Sequence, residues 1–322
     1  MTETNADNKT LGTPKQPLPN ARYIDHFYAK LLNRFGSIDL IMGGSLVIHT
    51  VTYWSVGLGL LLFEFGLPSI ALGYKTQPNR TVTWKEIVKL LKLVIPNQIL
   101  LALAYLAVRT LRPKQLQDKF DEQCSRTPPS YLRIMGDYLF NLGVFEVVFY
   151  LLHRTLHDLR WYKYVHKIHH QFKAPVGLAA EYAHIVELFL SNIVPGAIGP
   201  ALSNAHPVST WIWLAGSLVQ TLFHHSGLML PFYPLNQWTI SHDWHHAAFT
   251  DQFGVVGIMD NALQTTGDQP YLNFSNEIWQ RTGGGSATVA GSALVRVATV
   301  AALIVSRRKK MLVSSLFQSI VR

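Results

Sequence analysis

The sequence is poor in charge and nearly free of cysteine, and each shortage closes off a class of protein. Asp, Glu, Lys and Arg make up 15% of the 322 residues, against about 25% in soluble domains. Hydrophobic residues make up 48% and the mean hydropathy is +0.15. A soluble fold would need one large core under an unusually uncharged surface, whereas these apolar residues fall in long blocks. Cys124 is the single cysteine. It excludes an intramolecular disulfide and a thiolate metal cluster, and reads as an unreactive thiol in a polar loop. There is no internal repeat, no low-complexity segment, no HExxH zinc-hydrolase signature and no recognisable nucleic-acid module. Residues 1–37 are polar, contain Pro14, Pro17 and Pro19, and lack an apolar stretch after a basic start. They predict a flexible tail rather than a secretory signal.

What is present is apolar length. Ile38 to Phe65 and Ile87 to Val108 are each long enough to cross a bilayer, which takes about 20 helical residues. Pro96 predicts a kink in the second, and Lys89 and Lys92 sit where they can snorkel to the interface. Tyr138 to Leu152 is apolar but short and carries Glu146, so it reads as a half-buried or interfacial helix. Ile185 to Leu202 and Val208 to Phe223 read as a membrane hairpin. Ala287 to Val305 is apolar with Arg296 at its centre, a charge that costs roughly 2.5–3.5 kcal/mol on an insertion scale, and is left unassigned. The net charge is +9. Lys and Arg gather beside the apolar blocks, in Lys75 to Lys92, Arg109 to Arg133 and Arg307 to Lys310, as in loops at a membrane surface. The fold class expected is all-α, an integral membrane bundle of about four crossings with a cytosolic, histidine-rich cap. Four crossings put both termini and the segments 150–184 and 224–270 on one side, and Lys75 to Lys92 on the other.

Twelve of the 14 histidines lie between His153 and His246, where even spreading would put about four. Three subsets have helical spacing: His153 and His157 (HxxxH), His166, His169 and His170 (HxxHH), and His242, His245 and His246 (HxxHH). Residues three and four apart share a helix face, so their imidazoles can turn to one metal ion or to two adjacent ions. Without metal, eight clustered imidazoles would repel when protonated and leave unsatisfied nitrogens when buried. Eight donors exceed what one tetrahedral ion uses, which points to two metals. Imidazole suits zinc, copper, iron and nickel alike. Glu181-Tyr-Ala-His184 is the sole Glu-x-x-His, so a carboxylate-rich di-iron site cannot be completed. His26, His49 and His206 read as ordinary structural histidines. Glu181 and Asp243 are candidates to accept hydrogen bonds from ligand imidazoles. Trp161, Tyr162 and Tyr164 read as interfacial anchors.

The stretches YLLHRTLH (150–157), YKYVHKIHHQFKAPVGLAAEYAH (162–184), FHHSG (223–227) and HDWHHAAF (242–249) resemble the fatty acid hydroxylase/sterol desaturase superfamily of membrane di-iron enzymes. Within it, the chain looks most like the sterol C-4 methyl oxidase branch, over roughly residues 137–274. The resemblance implies two irons held by the eight box histidines, with His225 and His184 as further ligands or groups behind them; for His224 the question stays open. It implies an oxygenase that hydroxylates an unactivated C–H of a sterol, terpenoid or related lipid, with C-4 methyl oxidation as one form. Electrons would come from NAD(P)H through cytochrome b5 and its reductase. The implied location is the endoplasmic reticulum membrane, with the site facing the cytosol. Two alternatives share the metal core: a fatty-acyl or sphingolipid hydroxylase or desaturase, and a non-catalytic metal-binding membrane protein. The chain departs from the branch at Ile185 after AEYAH, at Leu228 and Met229 after HSG, and in GIMDNALQTTGD (257–268). These positions spare every box histidine and fall where substrate contacts are set. Four regions follow: a tail (1–37), a transmembrane hairpin with a basic loop (38–136), the catalytic domain (137–274) and a C-terminal segment (275–322).

Overall fold

The computed structural model describes residues 23–281, apart from 232 and 268. Residues 1–22 of the expected tail and the apolar segment Ala287 to Val305 lie outside the described residues. The described chain is all helical, with no strand beyond one isolated bridge between Lys75 and Leu228. The helices are α1 (Tyr23–Ile38), α2 (Gly44–Gly66), α3 (Pro68–Tyr74), α4 (Trp84–Leu111), α5 (Lys114–Cys124) and α6 (Tyr131–Leu156). They continue with α7 (Ile185–Leu202), α8 (Pro207–Ser226), α9 (Asn236–Ala248), α10 (Ile258–Ala262) and α11 (Gln269–Arg281). Four segments are long and apolar enough to cross a membrane: Tyr23–Gly66, Trp84–Leu111, Tyr131–Leu156 and Ile185–Leu202.

Several local choices explain these elements. Thr83 and Glu86 form a reciprocal capping box that starts α4, and Ser130 caps α6 through the Arg133 amide. Helix α6 is polar inside and apolar outside. Asp137, Asn141, Glu146 and His153 are buried, while Leu132, Met135, Leu139, Phe140 and Leu151 are exposed. That inversion suits a helix whose outer face meets lipid and whose polar groups can be satisfied only inside the bundle. It also corrects the expectation of a short interfacial helix, because the 26-residue helix runs well past Tyr138 and Leu152. Likewise α1 replaces the later part of the expected tail. Its Tyr28 is buried with Leu40 and Cys124, and its bend falls at Gly36, where φ is +78°.

The apolar core lies between α2, α4 and α8 and takes in residues 172–182, with Tyr53, Leu60, Leu90, Val94, Leu178 and Leu222 at its centre. Helix α2 comes so close to this segment that a Cβ at Gly57 would overlap Leu178. The expected hairpin region and catalytic region therefore share one core.

Contacts sort the helix ends into two sets. At one, Lys75 pairs with Glu64 at 2.9 Å and donates to the Ser226 carbonyl at 2.8 Å. There too the Thr76 amide donates to Gly227, and Gln77 donates to Asp243 and to the Lys173 carbonyl. At the other, Tyr28 donates to the Cys124 carbonyl, Gln123 to that of Ala205, and Arg109 pairs with Asp39 at 3.0 Å. So α2, α6 and α8 run toward the first end and α4 and α7 away from it. The loop after α2 lies beside the histidine segments, and α1 lies at the opposite end. Both placements reverse the four-crossing scheme, which omitted α6 because its buried polar residues interrupt the apolar run.

This topology is testable by cysteine accessibility in sealed membrane vesicles, in a Cys124→Ser background. A cysteine at position 78 should react with an impermeant maleimide from the same side as one at position 167, and from the side opposite to one at position 114. Position 78 reacting together with 114 would contradict it.

Candidate metal centre

The histidines come from four places at the first end of the bundle. Helix α6 supplies His153 and His157 at its C-terminus, α8 supplies His225 in its last turn, and α9 supplies His242, His245 and His246. The second box departs from the regular helix its spacing predicted. His166 ends a π-helical turn (Tyr162–His166), and His169 and His170 begin a 3-10 turn. These tighter and wider turns redirect successive imidazoles, which a regular helix would hold on one stripe.

Nine imidazoles gather in two groups. His153, His157, His166, His170 and His245 form one; His169, His225, His242 and His246 form the other; within each, the ligand atoms all lie within 4.8 Å of one another. The boxes do not map one to each group. His166 and His170 face one group while His169 faces the other, and α9 splits in the same way. His184 is in neither group: its Nδ1 accepts from the Val186 amide at the start of α7. His224 is also in neither.

The outward-facing nitrogens decide the chemistry. Nδ1 of His153 lies 2.8 Å from the Phe253 carbonyl, that of His245 2.7 Å from Asp251, that of His246 3.0 Å from Phe172 and that of His225 2.8 Å from Thr221. His166 Nδ1 lies 2.7 Å from a Glu187 carboxylate oxygen, and His169 Nδ1 3.3 Å from the Tyr182 carbonyl. A carbonyl oxygen only accepts, so in each of the five carbonyl pairs the proton sits on Nδ1. Nε2 of each neutral ring then carries a lone pair. Such Nε2 atoms face one another, His225 to His169 at 3.2 Å and His153 to His166 at 3.1 Å, and the Nε2 atoms of His170 and His242 join them at 2.9 Å from His166 and from His225. Where both rings keep the proton on Nδ1, as His169 and His225 do, the facing lone pairs repel, and a cation would turn that repulsion into coordination. The donor set therefore fits two metal ions.

Electrostatics agrees. Burial pushes the imidazolium form down at His166, His170, His242, His245 and His246, with neighbouring histidines adding to it. His169 is pushed down to about 4 and His157 to about 2, again by burial first. The rings stay neutral at physiological pH, as ligation requires.

Aromatic rings wall the first group. Phe253 lies 5.0 Å from His157 and Phe249 4.8 Å from His170, centroid to centroid. Tyr162 packs 5.8 Å from His157 and 6.0 Å from His170, a wall of the site rather than the interfacial anchor expected. Trp161 and Tyr164 are exposed. The loop carrying Phe253 is held by two carboxylates. Glu146 accepts from the amides of Val255, Val256 and Met259 at 2.8–3.0 Å, and Asp260 accepts from those of Phe253 and Gly254. A Cβ at Gly254 would fall 2.6 Å from Asp260 and 2.8 Å from Glu146, so only glycine fits.

The two carboxylates expected behind the ligands do other work. Glu181 contacts His49 Nε2 at 2.7 Å and accepts from Gln98, and Asp243 accepts from Gln77. Glu187 takes the role instead. It follows Val186 in an apolar stretch, so nothing in its sequence context marked it.

A family model of fatty acid hydroxylases matches residues 138–265. The chain is 30% identical to a fatty acid hydroxylase of Mycosarcoma maydis, over 79% of this chain and 67% of that protein. It is equally identical to methylsterol monooxygenase 1 of Danio rerio, over 82% of this chain and 89% of the relative. Fatty acid hydroxylase domain-containing protein 2 of Homo sapiens is 30% identical over 73% and 70%. No solved structure matches. The chain belongs to the fatty acid hydroxylase family.

Stability should fall on acidification. These histidines are depressed in the folded state, so their contribution is full above the unfolded value of 6.5 and is lost as pH falls toward about 4, the folded value at His169. Thermal unfolding of the metal-free protein should shift down steadily from pH 7 to pH 5; a flat profile would contradict the buried neutral imidazoles.

Proposed function

We propose that this protein is a membrane-bound non-haem di-iron oxygenase that hydroxylates an unactivated C–H of a sterol, terpenoid or related lipid. The observation that carries this reading is the pair of histidine groups with converging ring nitrogens, six of the nine rings having Nδ1 against a carbonyl or carboxyl oxygen. Iron bound there supplies the reduction of O2 and the insertion of one oxygen atom into the C–H bond. Each turnover consumes two electrons and two protons, and the second oxygen leaves as water. His153, His157, His166, His170 and His245 would hold one iron, and His169, His225, His242 and His246 the other.

The rest of the chain orients and shields. Carbonyls of Thr221, Asp251 and Phe253, with the Glu187 carboxylate, fix the ligand rings and their tautomers. Phe249, Phe253 and Tyr162 keep water from one side of the first group. No flavin- or haem-binding segment is recognisable in the sequence, so the electrons are assigned to NAD(P)H through cytochrome b5 and its reductase. That donor puts the histidine end of the bundle at the cytosolic face, in the endoplasmic reticulum membrane. Fatty-acyl hydroxylation is a second reading, favoured by the relative in Mycosarcoma maydis. A purely structural metal site is a third reading, and it predicts no NADPH-dependent oxidation of any lipid.

Reconstituted with reductase, cytochrome b5 and NADPH, the protein should convert a methylsterol to a product one oxygen atom heavier. His169→Ala and His245→Ala, one from each group, should each lower turnover by at least about 100-fold. Full activity in both variants, or stoichiometric zinc accompanied by hydrolysis of an ester lipid, would overturn the reading.

A further inference from the structure

Helix α4 begins at the histidine end, and its first turns carry lysines where a crossing helix meets lipid. Lys85, Lys89 and Lys92 are all exposed. Spaced by four and three residues, they form one stripe. The buried residues of the helix, Ile87, Leu90, Val94 and Asn97, lie on its other side. Beyond Lys92 the outward side turns apolar, with Ile95, Ile99, Leu103 and Leu106 each exposed. That change from cation to hydrocarbon marks the level of the lipid headgroups, where a lysine stem lies along apolar chains and its ammonium reaches a phosphate. Trp84, exposed and packed 4.9 Å from Phe65, adds an aromatic ring at that level. Trp84, Lys85, Glu86, Val88, Lys89 and Lys92 together line an open groove of about 610 Å³. Grooves that hold small ligands run to about 300–1,000 Å³.

We infer that this groove binds the headgroup of an anionic phospholipid in the leaflet at the histidine end. The inference is independent of the oxygenase reading. Three lysines and one glutamate line the groove, a surplus of two positive charges. The glutamate is engaged elsewhere: Glu86 Oε2 accepts from the Thr83 amide and hydroxyl, each at 2.8 Å, in the box that caps the helix. The lysine side chains, rather than the capped helix end, therefore supply the charge. Lys85 and Lys92 have no salt bridge or hydrogen bond with any described residue, and Lys89 has one partner, the Gln171 side-chain oxygen. Their ammonium groups are free to meet phosphate oxygens. The stripe faces away from the bundle and runs without a break into the apolar strip of the same helix. A lipid fills both parts at once, with its phosphate on the lysines and its acyl chains along Ile95 and Ile99, whereas a soluble anion leaves the apolar part bare.

The test is native mass spectrometry of the iron-loaded full chain, in micelles titrated with phosphatidylinositol or with phosphatidylcholine of the same acyl chains. Each lysine near an anionic surface is worth about fivefold in affinity, so the inositol lipid should bind at least about tenfold tighter. Lys85→Ser with Lys92→Ser should cut that preference at least about fivefold, and adding Lys89→Ser should abolish it. The double variant spares the Lys89 bond to Gln171, so it tests the charge without disturbing that contact. Lys30→Ser with Lys114→Ser and Lys119→Ser, also exposed but at the opposite end, should keep the preference. Equal binding of the two lipids, which would leave the stripe to an acidic soluble partner, would overturn the inference. A preference unchanged in the double variant, or lost equally in the opposite-end variant, would do the same. So would displacement of the lipid by millimolar inorganic phosphate, which would assign the lysines to soluble anions.

Discussion

The site depends on hydrogen bonds that point away from its centre. Main-chain carbonyls of Phe172, Thr221, Asp251 and Phe253, and the carboxylate of Glu187, each draw a proton to Nδ1 of a buried histidine. Once those protons are fixed, the Nε2 lone pairs have nowhere to point but at one another. Five rings on one side and four on the other then form two groups that could each hold a cation. Any change that releases an outer acceptor frees a ring to turn, and a socket loses its shape.

The scaffold keeps those acceptors in place. The loop that offers Asp251 and Phe253 has its amides anchored by Glu146, in the middle of α6, and by Asp260. A buried carboxylate in a helix that faces lipid would be costly alone; three amides make it a tether between the membrane part and the site. At the same end, Lys75 ties α2 to the end of α8 through Glu64 and the Ser226 carbonyl. The inverted pattern of α6 serves both needs, with leucines toward lipid and polar residues toward the bundle.

Much of this was legible in the sequence, for identifiable reasons. The three histidine boxes announce themselves by spacing, and all eight of their residues, with His225, do gather. Spacing did not show how the boxes divide, because the second box is two irregular turns and α9 presents its imidazoles to both groups. His184 read like a ligand by its motif but spends its Nδ1 on capping a helix. Most of the acceptors behind the ligands are main-chain carbonyls, which no residue identity encodes, and Glu187 stands in an apolar stretch that gives it no marker. The topology was misread at α6 for a related reason. Counting apolar length penalises Asp137, Asn141 and Glu146, although burial inside a bundle is where a crossing helix puts such residues.

The central claim is that the nine imidazoles make two cation sockets. Its most direct measurement is Fe(II) uptake by chelator-stripped protein at neutral pH, followed by elemental analysis after desalting. The account predicts two irons retained per chain, and one in a variant that loses several donors of a single group, such as His242→Ala with His246→Ala. Retention of one iron or none by the wild type, or of two irons by the double variant, would contradict it.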